Sequence, residues 1–213
     1  MQLVARVEKV DPPTVAAVCA AAALAAVGVL SDPRATDLDG PWHGAVSAWT
    51  SGPIRKLTRR ARGATWTRAQ EPDGVTIERD GAEVRAFVPC RMDQVPGELA
   101  KLQIQSSPLD SPTEMTSDGL APRQGLTIAV APDIDMSWGK QAAQCAHAAQ
   151  IAWRDAGAAS VEAWFSARAP LRVVHPDAAL WHELLNHASV RIHDGGFTEV
   201  PAGTLTAIAW WAV

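Results

Sequence analysis

The chain carries one strand-and-helix pattern twice, and this near-repetition is the feature that most limits its possible folds. Residues 3–10 (LVARVEKV) and 126–132 (LTIAVAP) are apolar and rich in β-branched residues, which is typical of buried strands. An alanine-rich run that predicts a helix follows each of them, AAVCAAAA at 16–23 and AAQCAHAA at 142–149. The same pattern near both ends of a 213-residue chain predicts two domains of similar construction.

Two later segments recur in the same order and strengthen this interpretation. One pattern reads Trp49…Pro53-Ile54-Arg55…Trp66 and then Trp164…Pro170-Leu171-Arg172…Trp181. The other aligns DGVTIERDGAEVRAFV (73–88) without a gap with GGFTEVPAGTLTAIAW (195–210), sharing Gly74/Gly196, Thr76/Thr198 and Gly81/Gly203. Three similar segments in one order indicate an internal duplication.

The domain organisation follows from this duplication and from the composition of residues 105–125. That segment is rich in Ser, Pro, Asp and Gly and lacks periodicity, which predicts a linker. On each side of it, strands alternate with helices and end in a pair of short strands. The predicted fold class is therefore α/β, with two tandem similar α/β sandwich domains, residues 1–104 and 126–213, each with a small mixed sheet flanked by helices.

Composition and cysteine spacing exclude several classes of protein. A hydrophobic content of 47% is ordinary for a globular domain and argues against disorder. Cys19, Cys90 and Cys145 lie far apart, which predicts neither a disulfide framework nor a zinc site and favours a reducing, cytoplasmic location. The apolar run 15–30 could be a signal peptide or a membrane span. Because it is mostly alanine and follows Pro12-Pro13 instead of a basic segment, we predict a buried helix and no membrane association.

A polar stripe distinguishes the second alanine-rich helix from the first. Lys140, Gln144, His147 and Ile151 are spaced by four, three and four residues, so they share one helix face. By spacing alone, a face turned to solvent is the commoner explanation. The aligned positions of the first half are Thr14, Val18 and Ala21. A face that is largely apolar in one copy favours a site, and not a plain surface, in the other.

One apparent metal motif is rejected on helical geometry. HELLNH (182–187) places His182 and His187 five residues apart, which is about 140° around a helix, so they cannot face one metal ion. No other spacing of His, Cys, Asp and Glu suggests a metal site, and we predict none.

Two segments of the second half together resemble the type II peptidyl-tRNA hydrolases. APDIDMSWGKQAAQCAHAA (131–149) is followed by HDGGFTEVPAGTLTAIA (193–209). The family pairs an Asp-x-x-Met-x-x-Gly-Lys-x-Ala-Ala-Gln-x-x-His-Ala segment with an Asp-Ala-Gly-x-Thr turn and a Gly-Thr/Ser-x-Thr strand. The resemblance implies a compact α/β domain that hydrolyses the ester joining a peptide to the 3′ end of tRNA, with tRNA as its partner and with no metal ion or cofactor.

The resemblance also implies which residues form the site. By position, the catalytic residues are Lys140, Asp194, Thr198 and Thr206, and the substrate-binding residues are Gln144, His147, Trp138 and Arg172. Ester hydrolysis needs a group that positions water and a donor where the oxyanion develops. We expect Asp194 to orient Lys140 or the water, and Lys140 to meet the oxyanion or a terminal phosphate.

The chain departs from the family pattern at two places in this site. Ser137-Trp138 stands where the family has a further Gly-Lys pair, so that one basic residue is lost. Trp138 either stacks on the terminal adenine, as aromatic side chains do on unpaired bases, or packs in the core. In the turn, Phe197 stands where the family commonly has a polar or basic residue.

The resemblance finally suggests a role for the first half. Family members commonly pair as homodimers, so we expect residues 1–104, a degenerate copy, to replace one subunit in an intramolecular pseudo-dimer that is a monomer or weak homodimer. The basic run IRKLTRRAR (54–62) is either a solvated helix face or a phosphate-binding patch. Because the second half is acidic, we predict tRNA phosphate contacts from Arg55, Lys56, Arg59, Arg60 and Arg62. The alternative function is a catalytically inactive tRNA- or ribosome-associated binding protein.

Overall fold

The computed structural model describes residues 1–104, 109, 115–116 and 124–212. Most of the predicted linker, residues 105–125, lies outside the described residues. Within it, Met115–Thr116 forms a two-residue strand that pairs in parallel with a strand of the second half.

The first half folds into a four-stranded mixed sheet flanked by helices. Its strands are β1 (Gln2–Arg6), β2 (Leu57–Ala61), β3 (Gly74–Arg79) and β4 (Ala82–Phe87). Its helices are α1 (Val15–Ser31), α2 (Pro33–Thr36), α3 (His43–Thr50), α4 (Gly63–Arg68) and α5 (Gly97–Ala100). Strand β1 pairs in parallel with β2 and antiparallel with β4, which gives the strand order β2-β1-β4-β3.

The second half has the same topology with one added edge strand. Its strands are β5 (Met115–Thr116), β6 (Gly125–Val130), β7 (Leu171–Pro176), β8 (Val190–His193) and β9 (Leu205–Ala212). Its helices are α6 (Trp138–Asp155), α7 (Ala158–Ser166) and α8 (Ala178–Leu184). The strand order is β5-β7-β6-β9-β8, in which the last four strands match those of the first sheet. The predicted tandem α/β domains with mixed sheets are confirmed.

The two long helices lie side by side between the two sheets. Helix α1 contacts β1, β3 and β4 of its own half and β7 of the other, while α6 contacts β6, β8 and β9 of its own half and β2 of the other. Because α1 is apolar on every face, burial on all sides is the arrangement that stabilises it. The prediction of a buried helix over residues 15–30 is thus confirmed. In the part of the chain that the structure describes, no helix is long and apolar enough to cross a membrane.

One apolar cluster runs through both halves of the molecule. It includes Val18 and Ala22 of α1 together with Cys145 and Ala149 of α6, all of them fully buried. Alanine side chains allow the helix backbones to approach closely, so the contact between the halves has the dense packing of a protein interior. The two domains therefore share a core.

The structure corrects the gapless alignment of residues 73–88 with residues 195–210. Gly74 begins strand β3, whereas Gly196 lies in a turn without strand pairing. A two-residue turn of Asp80 and Gly81, both with positive φ, joins β3 to β4. That is a tight hairpin turn, whereas residues 194–204 connect the equivalent strands of the second half. The first half therefore lacks the segment that carries Asp194 and Thr198.

The two long helices also match in a different register from the one that their alanines suggest. Thr14 and Ser137 each cap their helix, since Thr14 Oγ1 accepts from Ala17 N at 3.1 Å and Ser137 Oγ accepts from Lys140 N at 3.2 Å. Matched by these caps, Lys140, Gln144 and His147 correspond to Ala17, Ala21 and Leu24, not to Thr14, Val18 and Ala21. The inference from the comparison is unchanged, because the first-half positions are again apolar.

Candidate active site

The polar stripe begins in the first turn of α6. Serine is a favoured N-cap residue because its short hydroxyl can accept from a free backbone N–H of that turn. Ser137 fills this position and thereby places Lys140 one turn into the helix. Glu199 accepts hydrogen bonds from Ser137 N at 2.7 Å and from Ser137 Oγ at 2.8 Å. This carboxylate ties the segment after β8 to the positive end of the helix.

The segment between β8 and β9 is closed by its own backbone. Asp194 N donates to Thr204 O at 2.9 Å, and Gly203 N donates to Asp194 O at 2.8 Å. Gly196 has a φ of +74°, and a Cβ on it would lie 2.6 Å from Ala202 N, so only glycine fits there. The closed turn aims the Asp194 carboxylate at α6.

Lys140 and Asp194 form a buried ion pair at the point where helix and turn meet. Lys140 Nζ donates to Asp194 Oδ2 at 2.5 Å and to Thr198 Oγ1 at 2.9 Å. The side chains of Lys140 and Asp194 are only 10% and 8% exposed, while Thr198 is exposed. An ammonium group has three N–H donors, and the contacts within the described residues use two of them. One N–H of Lys140 thus has no partner among the described residues.

Gln144 and Thr206 support this ion pair from inside the domain. Gln144 Nε2 donates to Asp194 Oδ2 at 2.7 Å, and Thr206 Oγ1 lies 2.9 Å from Gln144 Oε1. Both residues are buried, and Thr206 is fully so. Because the Thr206 hydroxyl donates to the amide oxygen, the amide nitrogen of Gln144 is left facing the carboxylate. Thr206 therefore orients Gln144 and does not itself reach a ligand.

The protonation state of Asp194 follows from these contacts. Burial acts to raise the pKa of the carboxyl, but the hydrogen bonds from Lys140, from Gly196 N at 2.8 Å and from Gln144 outweigh it. The pKa of Asp194 therefore lies below its ordinary value, and the group is a carboxylate at neutral pH. With three donors directed at it, this carboxylate is suited to orienting Lys140.

His147 lies one turn farther along α6 and contacts the first half instead of the ion pair. Lys56 Nζ donates to His147 Nδ1 at 3.1 Å, and it also donates to Gln150 Oε1. Burial, followed by the charges of Lys56 and Lys140, lowers the pKa of His147 well below its ordinary value. A neutral imidazole whose Nδ1 accepts carries its proton on Nε2. The structure thus places Lys56 against α6 at the interface between the halves.

Trp138, Arg172 and Arg59 likewise make no contact with the ion pair, each for an identifiable reason. Trp138 is 3% exposed and belongs to the apolar core, so it packs and cannot stack on a base. Arg172 pairs with Thr127 near the start of two parallel strands, at the edge of the sheet opposite the Lys140 site. Arg59 is buried, and its guanidinium donates to Gln2 Oε1 and to the Leu102 carbonyl.

The rest of the basic run lies on strand β2 and on the segments that flank it. Residues 57–61 form this strand, so the alternative of a solvated helix face is wrong. Arg60 and Arg62 are exposed, and Arg60 donates to Gln103 Oε1 at 2.9 Å. Together with Lys9 and Lys101 they line a cavity of about 410 Å³, which Glu8 also lines. Arg55 lies before β2, and its side chain extends to the turn between β8 and β9.

Sequence reasoning missed two contacts of this site. No sequence pattern pointed to Glu199, whose carboxylate accepts two hydrogen bonds from the N-cap residue Ser137. The guanidinium of Arg55 lies over the ring of Phe197, with Cζ 4.2 Å from the ring centroid. No local pattern joins residues so far apart in the chain, and only the packing of the two halves brings them together.

Comparison with known proteins matches the half of the chain that carries this network. The family model described as peptidyl-tRNA hydrolase PTH2 matches residues 125–211. The curated protein "Peptidyl-tRNA hydrolase 2, mitochondrial" of Bos taurus is 32% identical over 122 residues, which cover 53% of this chain and 68% of the bovine protein. No solved structure matches the chain.

Proposed function

This chain belongs to the PTH2 family of peptidyl-tRNA hydrolases, and on that premise we propose that its second half, residues 126–213, hydrolyses the ester bond of peptidyl-tRNA. The products are free tRNA and free peptide, and the proposed reaction uses no metal ion or cofactor. We also propose a cytoplasmic location, on the basis of the three unpaired cysteines, although the bovine relative is mitochondrial by its name.

The observation that carries the proposal is the network that centres on the Lys140–Asp194 ion pair. Water adds to the ester carbonyl carbon, and the carbonyl oxygen becomes an oxyanion. The remaining N–H of Lys140 donates to that oxyanion, and a positioned cationic donor stabilises such developing charge more than it stabilises the neutral ester. The bond to the ribose oxygen then breaks, and that oxygen takes the proton that the water gives up.

The other residues of the network position these atoms. Asp194 directs Lys140, Gln144 directs Asp194, and Thr206 directs Gln144, each by one of the hydrogen bonds described above. Thr198 Oγ1 accepts from Lys140, so its own proton is available to a ribose oxygen or to the attacking water. The exposed side of the site thus presents one ammonium donor and one hydroxyl donor next to each other.

Hydrolysis of a purified peptidyl-tRNA by wild-type and variant proteins tests this proposal. We expect Lys140→Ala and Asp194→Asn to lose about 100-fold or more in kcat, since removal of one oxyanion donor costs about that much in other hydrolases. Arg154→Ala, an exposed substitution at the far end of the same helix, is the matched control and retains activity. Full activity of Lys140→Ala would overturn the assignment. A folded wild-type protein that binds tRNA without turnover would favour the inactive binding protein instead.

We further propose that the first half is a degenerate copy of the second and acts as a built-in partner subunit. The shared strand order, the equivalent helix caps and the reciprocal contacts of α1 and α6 support this proposal. The Asp80-Gly81 hairpin leaves no room for a turn like that of residues 194–204, so the copy has no site of its own. Sedimentation of the protein as a monomer would agree with a pseudo-dimer, and a stable dimer would contradict it.

A further inference from the structure

Phe197 is an exposed aromatic side chain in the turn between β8 and β9 that carries Asp194 and Thr198. It lies between Asp194 and Thr198 in sequence, and 71% of its surface is accessible to solvent. The turn leaves space for the ring at Gly195, where a Cβ would lie 2.8 Å from Phe197 Cε2. An exposed aromatic ring beside a nucleic-acid site has the chemistry of a platform on which an unpaired base stacks. The immediate neighbour in the site is Thr198, which is bonded to Lys140.

The first half of the chain supplies the residue that lies on this ring. The Arg55 guanidinium is 4.2 Å from the centroid of Phe197, which is a cation–π contact across the interface of the two halves. The segment is anchored at the next residue, because Lys56 donates to His147 and Gln150 of α6. Arg55 itself is exposed. An anchored, planar cation thus lies beside an exposed aromatic ring at the mouth of the site.

We propose that Phe197 and Arg55 form the subsite for the terminal base at the 3′ end of tRNA. The base stacks on the exposed part of the Phe197 ring, and Arg55 holds the ring and donates to the phosphate that precedes this nucleotide. The proposal rests on the proposed function and adds that the degenerate half contributes a substrate-binding residue to the active half.

The chemistry and the placement both favour a base. Unpaired bases stack on aromatic side chains and on guanidinium planes, and Arg recognises phosphate through its fork of N–H donors. The scissile ester and the terminal base belong to the same ribose. A ribose held at Thr198, with its ester at Lys140, therefore places its base within reach of the residue next to Thr198. Trp138, the other aromatic candidate near the helix terminus, is buried and cannot serve.

Binding of two short oligonucleotides tests the subsite without requiring turnover. One is the trinucleotide CCA, and the other is the same molecule with an abasic ribose in place of the terminal adenosine. We expect wild-type protein to bind CCA about tenfold more tightly in calorimetric titration, in keeping with one stacked base. Phe197→Leu keeps an apolar side chain and should bind the two molecules equally. Phe165→Leu, which changes another exposed phenylalanine on α7, is the matched control and should keep the preference.

Arg55→Lys separates the phosphate contact from the stacking contact. Lysine keeps the charge but loses the planar fork, so we expect CCA and the abasic molecule both to bind about threefold to tenfold more weakly. Equal binding of the two oligonucleotides by wild-type protein overturns the subsite, as does a preference that survives in Phe197→Leu. The proposed function fails separately, if wild-type protein keeps the base preference but does not hydrolyse peptidyl-tRNA. If wild-type protein hydrolyses peptidyl-tRNA but binds the two oligonucleotides equally, the proposed hydrolase function is supported and the base subsite is refuted.

Discussion

Replacing Gln144 with methionine should destabilise the protein and weaken catalysis through the same lost hydrogen bond. Methionine has a similar length and helix propensity, so packing and helix formation change little. The variant loses the 2.7 Å bond from Gln144 Nε2 to the Asp194 carboxylate. Thr206 Oγ1 keeps an acceptor, because the Ile192 carbonyl lies 3.1 Å away. The substitution thus removes one charge-assisted bond without leaving the buried hydroxyl unpaired.

The expected cost follows from the kind of bond that is lost. Hydrogen bonds to charged groups contribute about 1.5–3 kcal/mol to stability, and we take about 2 kcal/mol for this buried one. For a chain of this length that is a fall in Tm of roughly 4–8 °C. Because Asp194 is then held less firmly, Lys140 is less well positioned, and we expect kcat/KM for peptidyl-tRNA to fall about tenfold. Gln94→Met, at an exposed glutamine, is the control and should change Tm little.

The pH dependence provides an independent check of the reasoning. The pKa of Asp194 is lowered in the folded protein, so its contribution to stability is present above the unfolded pKa of about 3.9 and is lost as the pH falls through the folded value. In the Gln144→Met variant, which lacks one of the hydrogen bonds to the carboxylate, the pKa of Asp194 is lowered less. The difference in Tm between the two proteins should therefore be largest near neutral pH and should narrow toward about pH 3. Equal Tm values at pH 7, or a deficit that stays constant on acidification, would refute the role given to Gln144.

Three other variants probe the turn, the interface and the cationic surface. Gly196→Ala places an alanine in the left-handed backbone region, so we expect the free energy of unfolding to fall by about 2 kcal/mol or more and turnover to decrease. An unchanged midpoint of urea unfolding would contradict this strain. Burial is the first cause and the charge of Lys56 the second that lowers the pKa of His147, so Lys56→Met should raise this pKa in part in an NMR titration; an unchanged pKa would contradict the contribution of Lys56. Arg60→Gln combined with Arg62→Gln should reduce the salt dependence of tRNA binding by about one unit of slope for each residue, and an unaltered slope would argue against phosphate contacts there.

Local patterns predicted the elements of the fold well. Apolar runs rich in β-branched residues predicted β1 and β6, and the alanine-rich runs predicted α1 and α6, because these preferences act between neighbouring residues. The resemblance of two motifs to one family predicted that Lys140 and Asp194 belong to one site, and the structure places the two side chains in contact. The comparison of the two helices also indicated that the polar stripe is not a plain surface, and Gln144 within it is buried.

The misplaced residues share one cause. Trp138 and Arg172 were assigned to the site by resemblance to the family, with core packing as the alternative for Trp138, and Arg59 was assigned by its place in the basic run. Neither the resemblance nor the basic run reveals which way a side chain faces. The alternation of a strand turns Arg59 into the protein and leaves Arg60 outside. Likewise, the parallel pairing of β6 with β7 sets Arg172 at the edge of the sheet opposite the site. Such placements depend on strand pairing, which is not local.

The amino-acid sequence by itself determined the α/β class, the two-domain plan and the chemistry available in the second half, because these depend on local preference and on the types of residue present. Only the tertiary structure brings Lys56 into contact with His147 and places the Arg55 guanidinium over the ring of Phe197. Those contacts exist because α1 and α6 pack together and bring β2 of the first half against α6 of the second. The packing of the apolar helix α1 against the alanine-rich helix α6 between two sheets, and no feature of the basic run itself, brings these first-half residues to α6 and to the turn that carries Asp194.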